Sequence, residues 1–319
     1  MILCIGPTPA LQRVMVFRKL TLDAVNRALT TLDGAAGKSV NVAKVLKALG
    51  ERPVAVGFLG GDRGEQLRVM LEAKGIEMEV ATVKAETRQC VTVIDQSAGT
   101  QTELVEESQP VGEEAYEELL AIVRRRITGC QALVMSGTLT PDGPADFYFR
   151  CIQLAHTVGA FSVLDAQGAA LTEAFKALPD LVKPNRAELS ATLGRPLADE
   201  RALLSAMRQL CEQGARRVVV TAGPDPALAY DGLSFWRIVP PRIAAVNPIG
   251  SGDAFTASLV SRLLRGDNLA EACRWASATG GANALTSMAG EVESREVERL
   301  VGEVRVEQIK RSGGCGRSA

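Results

Sequence analysis

Short apolar runs recur along the chain, and most give way to stretches in which apolar positions return every three or four residues. The runs are Met1 to Gly6, Pro53 to Phe58, Ala132 to Ser136, Phe161 to Asp165, Leu181 to Lys183 and Arg217 to Thr221. Helical spacing follows several of them. Val42, Val45, Leu46 and Leu49 make one face that ends at Gly50, and Leu67, Met70 and Leu71 make another after Gly60-Gly61-Asp62-Arg63-Gly64. Runs without polar alternation predict strands buried on both faces, and their alternation with helices predicts an α/β chain with a mostly parallel sheet covered on both sides.

One section breaks this rhythm. Between Gln89 and Glu107 the apolar positions alternate about Gln96-Ser97-Ala98-Gly99, which predicts a hairpin. Two further extended pieces, Val14 to Phe17 and Ala28 to Leu32, flank a loop that carries Val25-Asn26-Arg27, and the turn-rich segment Gly6 to Gln12 precedes them. Together these strands, about 10–33 and 88–107, are expected to form a small lid sheet over the C-terminal edge of the main sheet. Unpaired lid edges predict a homodimer joined through the lid. A helix is expected over Asp142 to Val158, with His156, the one histidine, as a capping residue near its end.

The stretch Val246 to Val260 carries the strongest chemical signal. Pro248, Gly250 and Gly252 interrupt an apolar run, and Ala254, Phe255, Ser258, Leu259 and Arg262 then follow at helical spacing. Glycines in a turn that opens a helix let a ligand approach unpaired N–H groups, so this turn suits an anion such as a phosphate. Asp253 stands at its mouth, and on residue type alone it is either the helix N-cap or a base for something that attacks the phosphate. A second glycine-rich turn, Gly34-Ala35-Ala36-Gly37-Lys38-Ser39, fails as a P-loop, because the leading glycine would fall at position 32, where the chain has Leu32. It reads instead as a helix start that presents Lys38 and Asn41.

Composition narrows the partners. The chain has 319 residues, 46% hydrophobic and 23% charged, with a formal net charge of -1, so a sizeable core is expected and a nucleic-acid partner is not. No apolar run approaches the roughly 18 residues of a membrane span, and the first residues read as a strand, which together argue for the cytoplasm. Seven scattered cysteines suit reduced thiols; Cys90 and Cys315 are the two placed to react. The tail from Arg311 to Ala319 is expected to lie outside the folded domain, which spans 1–310.

Gly250-Ser251-Gly252-Asp253-Ala254-Phe255 resembles the Gly-Ala-Gly-Asp signature of ribokinase-like (PfkB) carbohydrate kinases, and Lys183-Pro184-Asn185-Arg186-Ala187-Glu188-Leu189 resembles their Asn-x-x-Glu segment. Val25-Asn26-Arg27, Gly37-Lys38, Thr87-Arg88 and Ser136-Gly137 resemble the branch of 1-phosphofructokinase, tagatose-6-phosphate kinase and minor 6-phosphofructokinase. The resemblance implies a three-layer sandwich with a β-sheet lid, and an ATP- and Mg²⁺-dependent kinase acting on a hydroxyl of a sugar phosphate. It implies Asp253 as base and the N–H groups from Gly250 through Ser251 and Gly252 as the anion hole. Asn185 and Glu188 would act on magnesium through water, Thr221, Gly223 and Asn283 would lie by the nucleotide, and Gln12, Arg27, Gly37, Lys38, Asn41, Arg88 and Ser136 by the sugar. The family's usual aspartate is Gln12 here, which leaves the sugar open. The alternatives are a kinase for an unphosphorylated sugar, nucleoside or similar alcohol, and a non-catalytic sensor.

Overall fold

The computed structural model describes residues 1–310; the expectations for Cys315 and the tail fall outside them. Strands β1 (Ile2–Ile5), β4 (Pro53–Leu59), β5 (Glu77–Thr82), β8 (Ala132–Ser136), β9 (Phe161–Asp165), β10 (Leu181–Val182), β11 (Val218–Ala222), β12 (Asp225–Tyr230), β13 (Phe235–Val239) and β14 (Arg305–Ile309) form one sheet. Their order is β14-β13-β12-β11-β10-β9-β8-β1-β4-β5. The pairings from β5 to β11 are parallel, and the three from β11 to β14 are antiparallel.

Alternation along the central strands divides the core in two. Leu3 and Ile5 of β1 pack with α3 (Glu113–Arg126), α4 (Phe147–Thr157), α5 (Gly168–Ala174), α6 (Arg186–Leu193) and α7 (Glu200–Glu212). Ile2 and Cys4 pack on the other face with α1 (Lys38–Ala48), α2 (Gly61–Ala73), α8 (Ser251–Leu264), α9 (Leu269–Ala284) and α10 (Ser294–Val301). Adjacent residues of a strand point to opposite faces, so an all-apolar strand needs cover on both. The result is the three-layer sandwich that the pattern implies.

The lid is a separate sheet in the order β3-β2-β6-β7, made of β2 (Ala10–Phe17), β3 (Thr30–Ala36), β6 (Arg88–Asp95) and β7 (Thr100–Val105). The expected hairpin is β6–β7. Its turn is held by the Asp95 carboxylate, which accepts from the N–H groups of Ser97 at 2.9 Å and Ala98 at 3.2 Å.

Several boundaries differ from expectation. Strand β2 begins at Ala10, inside the segment read as turn, because only Pro7 and Pro9 interrupt it and the chain is extended beyond them. Strand β3 runs to Ala36 and so reaches the first turn of α1. Helix α4 begins at Phe147 rather than Asp142; Gly143 and Pro144 hold a turn, in which the Asp142 carboxylate accepts from the N–H of Gly112 at 2.7 Å. His156 lies exposed in the last turn of α4. Strands β5, β12, β13 and β14 were not signalled by unbroken apolar runs. In β5 the glutamates Glu77 and Glu79 face solvent and pair with Arg126 and Arg125, so its pattern is half polar. No helix among the described residues is long and apolar enough to cross a membrane.

Candidate active site

Parallel strands of an open α/β sheet deliver their C-terminal ends to one edge, and a ligand crevice forms there. Here Asp165 ends β9, Lys183 follows β10 and Thr221 lies near the end of β11. The lid closes over this edge. Between them lies a cleft of about 380 Å³ lined, among others, by Gln12, Lys38, Asp165, Lys183, Glu188 and Asp253.

The anion turn forms as its sequence predicts. Gly250, with φ 82°, is the residue before α8. A side chain there would be strained, and its Cβ would stand 2.8 Å from Cβ of Ala289. The N–H of Ser251 donates to Pro248 O at 3.1 Å and that of Ala254 to Gly250 O at 2.9 Å. Those of Gly252 and Asp253 have no acceptor among the described residues. Lys183 Nζ would lie 3.8 Å from a Cβ on Gly252, so an ammonium stands at the same mouth. Two donors and a cation at a helix start can hold an oxyanion.

Asp253 is in the first turn of α8 and does not cap it, which removes the structural reading of this residue. Its carboxylate is buried and accepts from Asn41 Nδ2 at 2.8 Å. Burial pushes the acid up to about 7; Lys38 pulls against that, Asp165 adds to it, and the bond from Asn41 pulls it down. A base poised near neutral pH suits proton abstraction.

A charge network surrounds it. Asp165, fully buried, accepts from Lys183 at 3.1 Å, Lys38 at 3.3 Å and Thr256 Oγ1 at 3.2 Å. Burial would raise this acid, but the two lysines hold it below the usual carboxylate range. Lys38 also reaches Glu188 at 2.9 Å. Burial opposes its charge, yet Asp165, Glu188 and Asp253 together keep the ammonium well above its ordinary value. Asn185 and Glu188 form a capping box: Asn185 Oδ1 accepts from the Glu188 N–H, and Glu188 Oε2 from the Asn185 N–H, each at 2.8 Å. The Asn-x-x-Glu spacing therefore starts α6 and turns the Glu188 carboxylate toward Lys38.

On the lid side, Gln12 is buried and its Nε2 donates to Thr92 Oγ1 at 3.0 Å, while its Oε1 has no partner. Asn41 Oδ1 is likewise buried and bare. Gly37, with φ 106°, stands before α1, where a Cβ would come 2.8 Å from Pro9 Cα. Arg88 donates to Thr8 O through Nε at 3.3 Å and Nη2 at 3.1 Å. Cys90 lines the cleft as a buried thiol whose pKa burial raises, which makes it inert rather than reactive.

Five expected residues lie elsewhere. Arg27 is exposed in the loop between β2 and β3 and does not line the cleft. Ser136 ends β8 with a buried, unpartnered hydroxyl and does not line it either. Gly223 is exposed past β11. Ser251 turns its hydroxyl to Asn283. Asn283, expected by the nucleotide, is fully buried: Nδ2 donates to Ile249 O at 2.9 Å, and Oδ1 accepts from the Gly290 N–H at 2.8 Å. It fastens the anion turn to the following loop, because a buried amide must satisfy both its ends. Sequence reasoning passed over Asp165, Lys183, Thr256 and Glu103. For the first two a signal existed, since each puts a charge at the end of an apolar run.

A family model described as pfkB family carbohydrate kinase matches residues 1–295. Phosphofructokinase-2 from Escherichia coli in complex with fructose-6-phosphate is 26% identical, with a TM-score of 0.85, over 94% of this chain and 98% of that one. The tetrameric inhibited form of the same enzyme superposes with the same values. A possible 1-phosphofructokinase from Thermotoga maritima, 22% identical, shares the fold with a TM-score of 0.89 over 97% of this chain and 99% of its own.

Proposed function

The chain belongs to the pfkB family of carbohydrate kinases, and from that premise we propose that it phosphorylates a hydroxyl of a sugar phosphate of the fructose 1-phosphate, fructose 6-phosphate or tagatose 6-phosphate type, with ATP as donor. One observation carries this reading. A buried carboxylate, Asp253, stands at a helix start whose Gly252 and Asp253 N–H groups are unengaged, in a cleft whose lid brings Arg88 to its wall.

In this reading Asp253 accepts the proton of the acceptor hydroxyl as its oxygen bonds to the terminal phosphorus and ADP leaves. The two N–H groups and the Lys183 ammonium hold the charge that develops on the transferred group. Lys38, fixed by Asp165 and Glu188, adds a second cation beside the base. ATP supplies the phosphoryl group, and Mg²⁺ neutralises its charge when bound. Asn185 and Glu188 would hold the hydrated ion through water; both Glu188 oxygens already accept bonds within the protein, which fits an outer-sphere role. Arg88 faces the cleft with only backbone carbonyls as hydrogen-bond partners and is the cation for a phosphate already on the sugar.

A second acceptor class is favoured by the charge of the lining. Its cations Lys38 and Lys183 are engaged by Asp165 and Glu188, and the carboxylates Glu103, Asp165, Glu188 and Asp253 outnumber its cations. A panel of acceptors with Mg-ATP separates the two: turnover on hexose phosphates is expected, and turnover only on unphosphorylated alcohols overturns the reading. A sensor would bind and not turn over any of them.

We also assign the chain to the cytoplasm, where ATP is available and the six free cysteines of the described residues stay reduced. The lid supports a homodimer: Leu22, Val25 and Leu29 of the β2–β3 loop and Leu104 of β7 are exposed apolar residues on it.

A further inference from the structure

Four carboxylates line the cleft, and three of them are engaged. Asp165 holds Lys38, Lys183 and Thr256; Glu188 holds Lys38 and the Asn185 N–H; Asp253 holds Asn41. Glu103 on β7 is the fourth, and among the described residues no side chain or N–H group bonds to it. A nearby glutamate differs: Glu106, just past the end of β7, is held by Arg63 at 2.6 Å and by the Gln89 N–H at 3.0 Å. An unengaged carboxylate in a cleft wall is the exception here.

The register explains why it faces the cleft. Glu103 pairs with Thr92 and Val105 with Cys90, and Gln12 lies in register with Cys90 across the parallel pair. Residues in register share a face, so Gln12, Cys90, Glu103 and Val105 all line the cleft. Thr92, fully buried, accepts from Gln12 Nε2 and leaves Gln12 Oε1 bare beside it. Two acceptors, one neutral and one charged, thus lie one behind the other across three lid strands. Neither has a donor among the described residues: Gln12 Oε1 is buried and bare, and Glu103 is exposed to the solvent of the cleft. Partial desolvation raises the Glu103 acid and Arg88 opposes that, so the carboxylate and the guanidinium sense each other across the same wall.

We infer that Glu103 is a specificity residue for the acceptor: its carboxylate accepts a hydrogen bond from a sugar hydroxyl other than the one phosphorylated, next to the bare Oε1 of Gln12. Acceptors without donors ask for a ligand rich in hydroxyl groups, and a carboxylate is the stronger of the two. The same charge disfavours a substrate phosphate at this end of the wall and leaves Arg88 as its seat. This rests on the sugar-phosphate reading of the site.

The test is Glu103→Gln, which keeps size and strand and removes charge. The wild-type chain and the variant are assayed with Mg-ATP on the hexose phosphate that the wild type uses best among fructose 1-phosphate, fructose 6-phosphate and tagatose 6-phosphate. Binding of that sugar is also measured by calorimetry without ATP. The expected result is a rise of roughly 5-fold to 10-fold in sugar KM and Kd, as a charge-assisted hydrogen bond is weakened to a neutral one. The kcat, the KM for ATP and the thermal midpoint should stay within about twofold or a degree or two. Sugar KM and Kd unchanged in a wild type that turns over would overturn this inference alone, as would a parallel rise in KM for ATP. A wild type that turns over none of the three overturns both it and the proposed function.

Discussion

The two walls of the cleft are built on opposite plans. On the sheet side, Asp165, Lys183, Lys38, Glu188, Asn283 and the anion turn are tied to one another by hydrogen bonds and ion pairs, most of them buried. On the lid side, Gln12 presents a buried acceptor without a donor, Glu103 an exposed carboxylate that no group among the described residues engages, and Arg88 is anchored by backbone carbonyls alone. A preorganised wall stabilises charge that develops during reaction without reorganising. A wall of unmet acceptors gains most when a matching ligand arrives, because it rejects a ligand that leaves them unpaired. Under the proposed function, the chemistry belongs to the sheet edge and the choice of acceptor to the lid.

The largest effect that could break this division is at the base. Asp253→Asn should lower kcat by roughly 100-fold to 10,000-fold while leaving ATP binding near the wild-type Kd, as calorimetry would read. Turnover within tenfold of the wild type would mean the sheet wall does not carry the chemistry. The same change should raise stability at pH 8. The folded-state acid lies at about 7, above its ordinary value, so its contribution favours the fold at low pH and is lost as pH rises through about 7. Denaturant melts of the two proteins should therefore differ at pH 8 and converge near pH 4.

Next in size is Asp165→Asn, which leaves two ammonium groups facing each other without their shared partner. Breaking a buried pair costs about 3–5 kcal/mol, so a much lower denaturation midpoint is expected at neutral pH. The sign is opposite to that of Asp253. Its folded-state acid is lowered, so its stabilising contribution is present at neutral pH and is lost only as pH falls through the depressed carboxylate range. A melt unchanged at pH 7 would show that the sheet wall is less tightly coupled than its distances imply.

On the lid, Arg88→Ala should raise the KM for a sugar phosphate by roughly 10-fold to 100-fold, with kcat and the KM for ATP little changed. An equal loss on an unphosphorylated acceptor would move Arg88 from phosphate recognition to lid structure. Smaller still is the pH profile. With Asp253 ionised as the base, kcat should fall about tenfold per pH unit below roughly 7 and level off above it; a profile flat from pH 5 to 8 would count against a base raised by burial. The gentlest probe is Leu104→Glu on the exposed lid face, expected to shift sedimentation from dimer toward monomer. A wild-type chain that sediments as a monomer at micromolar concentration removes the dimer outright.

Much of this molecule could be read from local pattern. Unbroken apolar runs located β1, β4, β8, β9 and β11 to within a residue or two, since a strand buried on both faces leaves no room for polar positions. Strand β5 escaped because an edge strand exposes one side, and β12 to β14 because antiparallel strands near a sheet edge carry mixed patterns. The anion turn was legible because Gly250 must take a positive φ and Asp253 follows it at fixed spacing. The structural bonds of Asn283 were not legible, because an amide on a helix gives no sign of whether it meets a ligand or a backbone carbonyl.

The sequence by itself determined the layers, the lid hairpin and the anion turn, and it singled out Asp253 as the candidate base, because each rests on residues close together in the chain whose periodicity or backbone geometry is a local matter. Only the tertiary structure decided which groups share one site. Lys38 and Glu188 are 150 residues apart and Asn41 and Asp253 212, yet each pair is in hydrogen-bond contact. It also decided how Asp253 and Asp165, two buried carboxylates of one cleft, acquire opposite acidities. Burial raises both, and the outcome turns on how many cations the fold brings against each: two lysines bonded directly to Asp165, and a single amide bonded to Asp253.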